Sequence, residues 1–277
     1  MKQIRICYSD ETNIGDAINP YIIREVLGYE PVLTDAYHCQ ISGIGSGLRR
    51  YFVKKPGRKK AIKLGIKKLL NPDPVILWSA GFLSTPSGNE YAIRRNMKIA
   101  SVRGELSRQY VERLLGKPAE CTTGDGGLLC SKWIQQETEK KYRLGIIPHK
   151  REKREEVFER IHKAVDDSVI IDVEGDPIKN LKTILACECI ISSSLHGLII
   201  ADSYCVPNRR VRVSDKLSGD GFKFRDYYSS FGLEDEVQDL NTDPVIDISS
   251  VIGNYRINKE TIMKKQEEII SAFNLYL

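Results

Sequence analysis

The amino-acid sequence predicts an α/β protein built from two halves, each a parallel sheet covered by helices. Three observations lead there. Short β-rich runs alternate with amphipathic segments along the whole 277-residue chain, the signature of strand–helix repeats. The β-rich runs are almost continuously apolar, as expected of strands buried on both faces. A polar, charged stretch, QQETEKK at 135–141, interrupts the alternation near the middle. It divides the chain into one half over 1–140 and another over 141–277, with facing strand ends and a cleft between them. A chain of this length suits one large or two modest domains.

The elements can be justified in order. IRICYS opens the first half as a strand and leads through Asn13, Gly15 and Asp16 into a helical pattern. QISGIG, PVILWSA and KIASVRG are the next strands, and a helix is expected over 104–115. TTGDGGLL follows, with Asp125 at the end of a short strand. The second half begins with YRLGIIPH, which puts His149 directly after a strand. Helices are expected over 151–165 and 178–187; in the latter, Leu181, Ile184 and Leu185 share one apolar face. SVIIDVEG, ECIISSS and RRVRVSD are the remaining strands. The final pattern, 258–277, is a helix able to pack back on either half.

Composition excludes several classes. Apolar content of 41% and charged content of 29% are ordinary for a globular protein. No run of about 18 apolar residues exists, so no membrane-spanning helix is expected. The N-terminus lacks an apolar leader with a cleavage site, so a cytoplasmic protein is expected. Seven cysteines include no C-x-x-C pair, and Cys7, Cys130, Cys189 and Cys205 sit in apolar runs. That pattern favours reduced thiols over disulfides or a zinc site.

The net charge of +5 is unevenly spread: between Leu48 and Leu70 lie ten Lys or Arg and no acid, leaving the remainder at −5. One reading is a solvated helix face. The other is a patch for an anionic partner. No aromatic residues interleave the lysines in a nucleic-acid pattern, whereas Ile62, Ile66, Leu69 and Leu70 recur at helical spacing. An anionic membrane surface, or a substrate carrying a lipid diphosphate, is therefore expected to meet this segment, with peripheral contact at the inner face of the cytoplasmic membrane.

Candidate site residues cluster at strand ends. In CIISSSLHGLIIADSYCVP, Ser193, Ser194, Leu195 and His196 are expected to form a turn between strand and helix. This is the edge where parallel sheets bind ligands, and the first amides of the helix favour an anion there. A histidine at that point can donate to phosphate or carboxylate or pass a proton; it can also merely cap the helix. Gly15 permits a tight turn near a ligand. Asp16 and Asn19 could hold hydroxyls, and a helix cap by Asp16 is an equal alternative. Arg103 ends a strand before Gly104 and suits bidentate anion recognition, or else a surface salt bridge.

Together these motifs resemble the polysaccharide pyruvyl transferases. The resemblance covers most of the chain: N-x-G-D (Asn13, Gly15, Asp16), a strand-end arginine with a following serine (Arg103, Ser107), a G-D element (Asp125), and P-H (Pro148, His149). Its strongest part is S-x-x-L-H-G-x-x-x-A-x-x-x-x-x-P (Ser192, Leu195, His196, Gly197, Ala201, Pro207). One position departs. Many members carry arginine directly before L-H-G, understood to grip the donor phosphate, and here it is Ser194. Lys223 and Arg225 in GDGFKFRD resemble a K-x-R-D element of the branch related to exopolysaccharide ketal-forming enzymes, and Arg225 with Lys223 is expected to restore the lost charge.

The resemblance implies two Rossmann-like domains facing a cleft, similar to two-domain (GT-B-type) glycosyltransferases, and transfer of pyruvyl from phosphoenolpyruvate to two hydroxyls of one sugar. On this reading, Arg103, Ser194, Leu195, His196, Gly197, Lys223 and Arg225 bind the donor. Asn13, Gly15, Asp16, Asn19, Asp125 and His149 bind a glycan or lipid-linked acceptor. His196 is the proton donor or phosphate ligand, Arg103 a cationic grip, and Asp16 a base or orienting group. No resident cofactor or metal is implied, and an auxiliary divalent ion stays open. A glycosyltransferase using a nucleotide sugar, with Glu174 on the ribose, is the alternative, and a non-catalytic membrane-bound scaffold is the third.

Overall fold

Two five-stranded sheets, both wholly parallel, organise the chain. The structure, a computed structural model, describes residues 1–9, 12–87, 91–217 and 219–277, with only the backbone of Tyr91. The first sheet contains β1 (Lys2–Cys7), β2 (Tyr29–Leu33), β3 (Ile41–Ser42), β5 (Val75–Leu77) and β7 (Met97–Ile99), in the order β2-β1-β3-β5-β7. The second contains β10 (Tyr142–Ile147), β11 (Ser168–Ile170), β12 (Cys187–Ser192), β13 (Asn208–Arg212) and β14 (Val237–Asp239), in the order β11-β10-β12-β13-β14. β4 (Phe52–Lys54) and β6 (Tyr91–Ile93) form a small antiparallel pair, and β8 (Ser101–Val102) and β9 (Thr122–Thr123) a parallel one.

The two sheets have the same topology. Each starts on an inner strand, steps to one edge, then returns past its start and builds in the other direction. The order therefore reverses between β1 and β3 in the first sheet, where Ile6 faces Ile41. It reverses between β10 and β12 in the second, where Ile146 faces Ile191. At such a reversal the outgoing loops diverge and leave a crevice beyond the carboxyl ends of the strands.

The helices are α1 (Ile14–Ala17), α2 (Asn19–Tyr21), α3 (Arg58–Leu70), α4 (Glu105–Leu115), α5 (Cys130–Trp133), α6 (Glu156–Ala164), α7 (Pro177–Leu185), α8 (Leu195–Ser203), α9 (Phe222–Ser229), α10 (Ile248–Gly253) and α11 (Lys259–Asn274). Every residue of α8 except His196 is buried, consistent with its all-round apolar sequence. One core cluster joins Leu198 and Ile199 of α8 to Ile4 and Ile6 of the first sheet and Ile147 and Ile190 of the second. Two further contacts link distant parts of the chain. The Ile14 amide donates to the Val173 carbonyl at 2.7 Å. At Gly104 a Cβ would fall 1.6 Å from the Asp226 carbonyl oxygen, so the start of α4 meets α9 with no room for a side chain.

Several boundaries differ from the sequence expectation. KIASVRG is not one strand. β7 stops at Ile99, and β8 pairs with β9 instead. Ala80 bridges both Gly45 and Val102, so this pair prolongs the carboxyl edge of the first sheet. β2 escapes a hydrophobic reading because YEPVL is an edge strand carrying Pro31, where a missing donor is tolerated. The helix expected from 151 begins only at Glu156, because His149 to Glu155 fold as turns in which the Glu152 amide donates to the His149 carbonyl at 2.7 Å. The final helix, α11, lies against the first sheet's side: the Trp78 indole N–H donates to the Ile269 carbonyl at 3.0 Å, and Gln266 Nε2 to the Leu128 carbonyl at 2.7 Å.

The basic segment is not one unit either. Leu48, Tyr51 and Phe52 are buried, and Arg50 donates to Ser9 Oγ at 2.7 Å. Only α3 stands clear of the body, with no buried residue. The seven cysteines are free, five of them buried. Among the described residues, no helix is long and apolar enough to cross a membrane.

Candidate active site

A cavity of about 240 Å³ opens where the carboxyl ends of four strands meet. Ser9 follows β1, Gly45 and Ser46 follow β3, His149 to Arg151 follow β10, and Leu195 and His196 follow β12. These are the reversal strands of both sheets. Asn13, Asp16, Leu83 and Lys223 complete the lining.

His196 does not sit in a turn, as expected, but in the first turn of α8. Its ring rests against α1. A Cβ on Gly15 would lie 1.9 Å from His196 Nδ1, so the glycine of N-x-G-D is there for this contact. It lies within α1, not in a tight turn; Asn13 caps that helix by accepting from the Gly15 amide at 3.4 Å. His196 Nε2 is sealed from solvent and has no hydrogen-bond partner among the described residues. Burial, then the charges of Lys223 and Arg103, push the imidazole down to about 3. The ring is therefore neutral at pH 7, and an incoming anion would raise its proton affinity.

Three cations line the cavity with it. Lys223 is 8% exposed and has no hydrogen bond or ion pair among the described residues; its ammonium lies 5.1 Å from the Phe224 ring. Burial and the neighbouring Arg103 and Arg210 bring it down to about 8. Lys150 and Arg151 stand on the turn after β10. His149 is held by two bonds: its amide donates to Ser193 Oγ at 2.9 Å, and its Nδ1 accepts from the Arg151 amide at 3.2 Å. The second bond leaves the ring proton on Nε2. Burial and the three cations push His149 down to about 4. Below this turn, Glu152 is fully buried; its Oε1 accepts from Ser214 at 2.7 Å, while Oε2 has no partner among the described residues.

The start of α8 adds donors. Ser194 is the N-cap, but its side chain makes no cap bond, and its amide donates to Ser192 Oγ at 2.9 Å. The first-turn amides of a helix have no intrahelical acceptor, so α8 offers a positive dipole end beside Lys223 and His196. Gly197 is not part of the lining: a Cβ there would lie 2.6 Å from Ser192 Oγ, so it lets α8 press on β12.

Arg103, expected as a ligand grip, lies behind the cavity wall with no exposed surface. Its Nε donates to Asp226 Oδ2 at 2.9 Å, Nη2 to the Phe82 carbonyl, and Nη1 to Ser46 Oγ at 3.0 Å. Asp226 also accepts from the Ser107 amide and hydroxyl, each at 2.7 Å. Arg103 therefore orients Ser46, which does face the cavity. Arg225, expected to restore the charge missing at Ser194, is exposed on α9 and bonded to Asp220. Lys223 is the member of K-x-R-D that reaches the cavity.

Two expected hydroxyl-holding residues are also elsewhere. Asn19 is buried; its Oδ1 accepts from the Ile44 amide at 2.8 Å and its Nδ2 bonds the Asp16 carbonyl at 3.1 Å. Asp125 is fully buried, caps Gly127 at 2.9 Å and is pushed up to about 6 by burial. Both brace the loops around the site. Glu174, the ribose candidate, is ion-paired with Lys153 at 2.6 Å. Sequence reasoning overlooked Lys150, Arg151, Ser9 and Ser46. The H-K-R run directly after a strand-end histidine was the available signal for the first two.

Residues 13–215 match the model of the family described as polysaccharide pyruvyl transferase. The chain is 33% identical over 193 residues to the uncharacterized protein L143 of Acanthamoeba polyphaga mimivirus, covering 62% of this chain and 66% of that one. It is 26% identical over 230 residues to the succinoglycan biosynthesis protein ExoV of Rhizobium meliloti (strain 1021), covering 81% of this chain and 63% of that one. The matched part thus amounts to just under two thirds of each relative's length.

Proposed function

Because the chain belongs to the polysaccharide pyruvyl transferase family, we propose that it moves a pyruvyl group from phosphoenolpyruvate to two hydroxyls of one sugar, forming a cyclic ketal on a polysaccharide precursor. The observation that carries this reading is the cation-rich wall around a neutral histidine: Lys223, Lys150 and Arg151 with the α8 amides about His196. The donor carries a carboxylate and a phosphate and needs two separate cationic contacts. The α8 end with Lys223 suits the phosphate, and Lys150 with Arg151 suits the carboxylate. Lys223 takes over the charge that other members carry at the Ser194 position.

The opposite wall, with Ser9, Asn13, Asp16 and Ser46, suits a sugar. In the overall reaction, one hydroxyl proton ends on the former methylene carbon, which becomes methyl, and the other leaves on inorganic phosphate. Protonation of that carbon creates an oxocarbenium-like centre; one sugar oxygen bonds to it, the C–O bond to phosphate breaks, and the second oxygen closes the ring. His196 relays the proton, its basicity raised once the phosphate is bound. Asp16 accepts from, or orients, the attacking hydroxyl. General acid–base help of this kind is worth about 10²–10⁴ in rate, and charge held in a water-poor cavity adds more. Phosphoenolpyruvate is a cytosolic metabolite, so the reading puts the reaction in the cytoplasm.

Phosphate release from phosphoenolpyruvate, measured with a panel of glycosides and lipid-linked sugars, tests the reading. Acceptor-dependent release that His196→Ala abolishes is expected. A nucleotide sugar that binds the cavity where phosphoenolpyruvate does not would replace this reading with glycosyl transfer.

A further inference from the structure

We propose that α3 is an interfacial helix that seats the protein on an anionic lipid bilayer. Its sequence, RKKAIKLGIKKLL, holds six cations and no acid. Such helices are common on protein surfaces, and most of them turn their apolar stripe inward. Here the stripe faces the other way. Ile62, Ile66, Leu69 and Leu70 are 60%, 52%, 80% and 75% exposed. At about 100° per residue, the first three fall within an arc of roughly 60°. Leu64 and Lys68, the partly covered residues of α3, project from the opposite side. Lys67 confirms which side faces the body, since its ammonium sits 4.5 Å from the Tyr37 ring. The protein thus holds α3 by the side of Leu64, Lys67 and Lys68 and presents the Ile62, Ile66 and Leu69 stripe outward.

The charge pattern selects the occupant. A second α3 would bring cations against cations. A bilayer of anionic lipids instead offers layered phosphates and acyl chains at the depths where the flanking lysines and the isoleucines and leucines would rest. The inference is independent of the pyruvyl-transfer reading, because α3 contributes no residue to the cavity.

The test is sedimentation of the full chain with vesicles of phosphatidylcholine alone or mixed with phosphatidylglycerol. Binding is expected only to the mixed vesicles. It should weaken at least about tenfold between low and high salt, and by a similar factor in Lys59→Glu/Lys63→Glu, whose lysines flank the apolar stripe. Leu69→Trp should show a blue-shifted emission on binding. These variants should keep the wild-type thermal midpoint, because α3 buries nothing. Equal binding to both vesicles, indifference to the charge reversals, or emission unchanged by lipid would each overturn the proposal. So would an α3-dependent dimer without lipid, or binding to duplex DNA in place of vesicles.

Discussion

Two buried cations stand on opposite sides of one cavity wall, and they differ in what they hold. Arg103 is enclosed by Asp226, Phe82 and Ser46, with its guanidinium bonded on every nitrogen. Lys223 is almost as deep, yet its ammonium has no polar partner among the described residues. A charge taken out of water needs compensation. Arg103 receives it from the protein and so is part of the scaffold. Lys223 has no bonded counter-ion, only the longer-range pull of Glu152, and is poised for an external anion. Burial does not distinguish the two, but unused bonding capacity does.

Breaking each in turn should separate the roles. Arg103→Met strands the Asp226 carboxylate in the interior, and a cost of about 3–5 kcal/mol in urea-unfolding free energy is expected. Lys223→Met should leave the thermal midpoint unchanged or raised, because the burial cost of this charge outweighs the pull of Glu152. The same variant should lower kcat/KM for phosphoenolpyruvate by about 10²–10³, as with loss of one charge-stabilising donor. A fall in stability with little change in kcat/KM would reverse the assignment.

The next effect sharpens the comparison by moving the group between the two. In Gly15→Ala the new methyl would displace the His196 ring, and activity should drop about a hundredfold, with about 1–3 kcal/mol of overpacking. Unchanged turnover in this variant would remove His196 from the reaction. A smaller effect comes from pH. Lys223 titrates near 8 and is charged below that value, so KM for phosphoenolpyruvate should rise as pH passes upward through about 8. Lys223→Arg should move that limb to higher pH, since arginine stays charged. The smallest effect belongs to Arg225. Arg225→Ala is expected to change stability by no more than about 0.5 kcal/mol and to leave KM for the donor unaltered; a large KM increase would return Arg225 to the site.

The contrast also explains what could be read from the sequence. Alternating strands and helices were legible, because periodicity is a local property, and so was the placing of His149 and His196 near strand ends; Lys223, on α9, was named only through the resemblance. Which cation would be held by the protein and which left for a ligand was not legible. Arg103 finds Asp226, 123 residues away, and the same K-x-R-D element that supplied Lys223 supplied that carboxylate. Asn19 and Asp125 look like ligand groups in sequence, but long-range packing assigns them to backbone amides. The short strand before Asp125 was legible, but the break in KIASVRG after Ile99 and the pairing of β8 with β9 were not, since both depend on a partner about 20 residues away. The basic segment read correctly as a block of charge, while its division into a folded part and the free α3 depended on Leu48, Tyr51 and Phe52 being drawn into the core.

The position of α11 has a consequence for biosynthesis. Trp78, Gly124 and Leu128 all meet residues 266–269, so one face of the first sheet is closed by a helix translated long after it. Domains usually condense in the order they leave the ribosome. Here the earlier sheet must wait with an open apolar flank until α11 is released, and a nascent chain stalled before residue 259 would be a natural client for a chaperone.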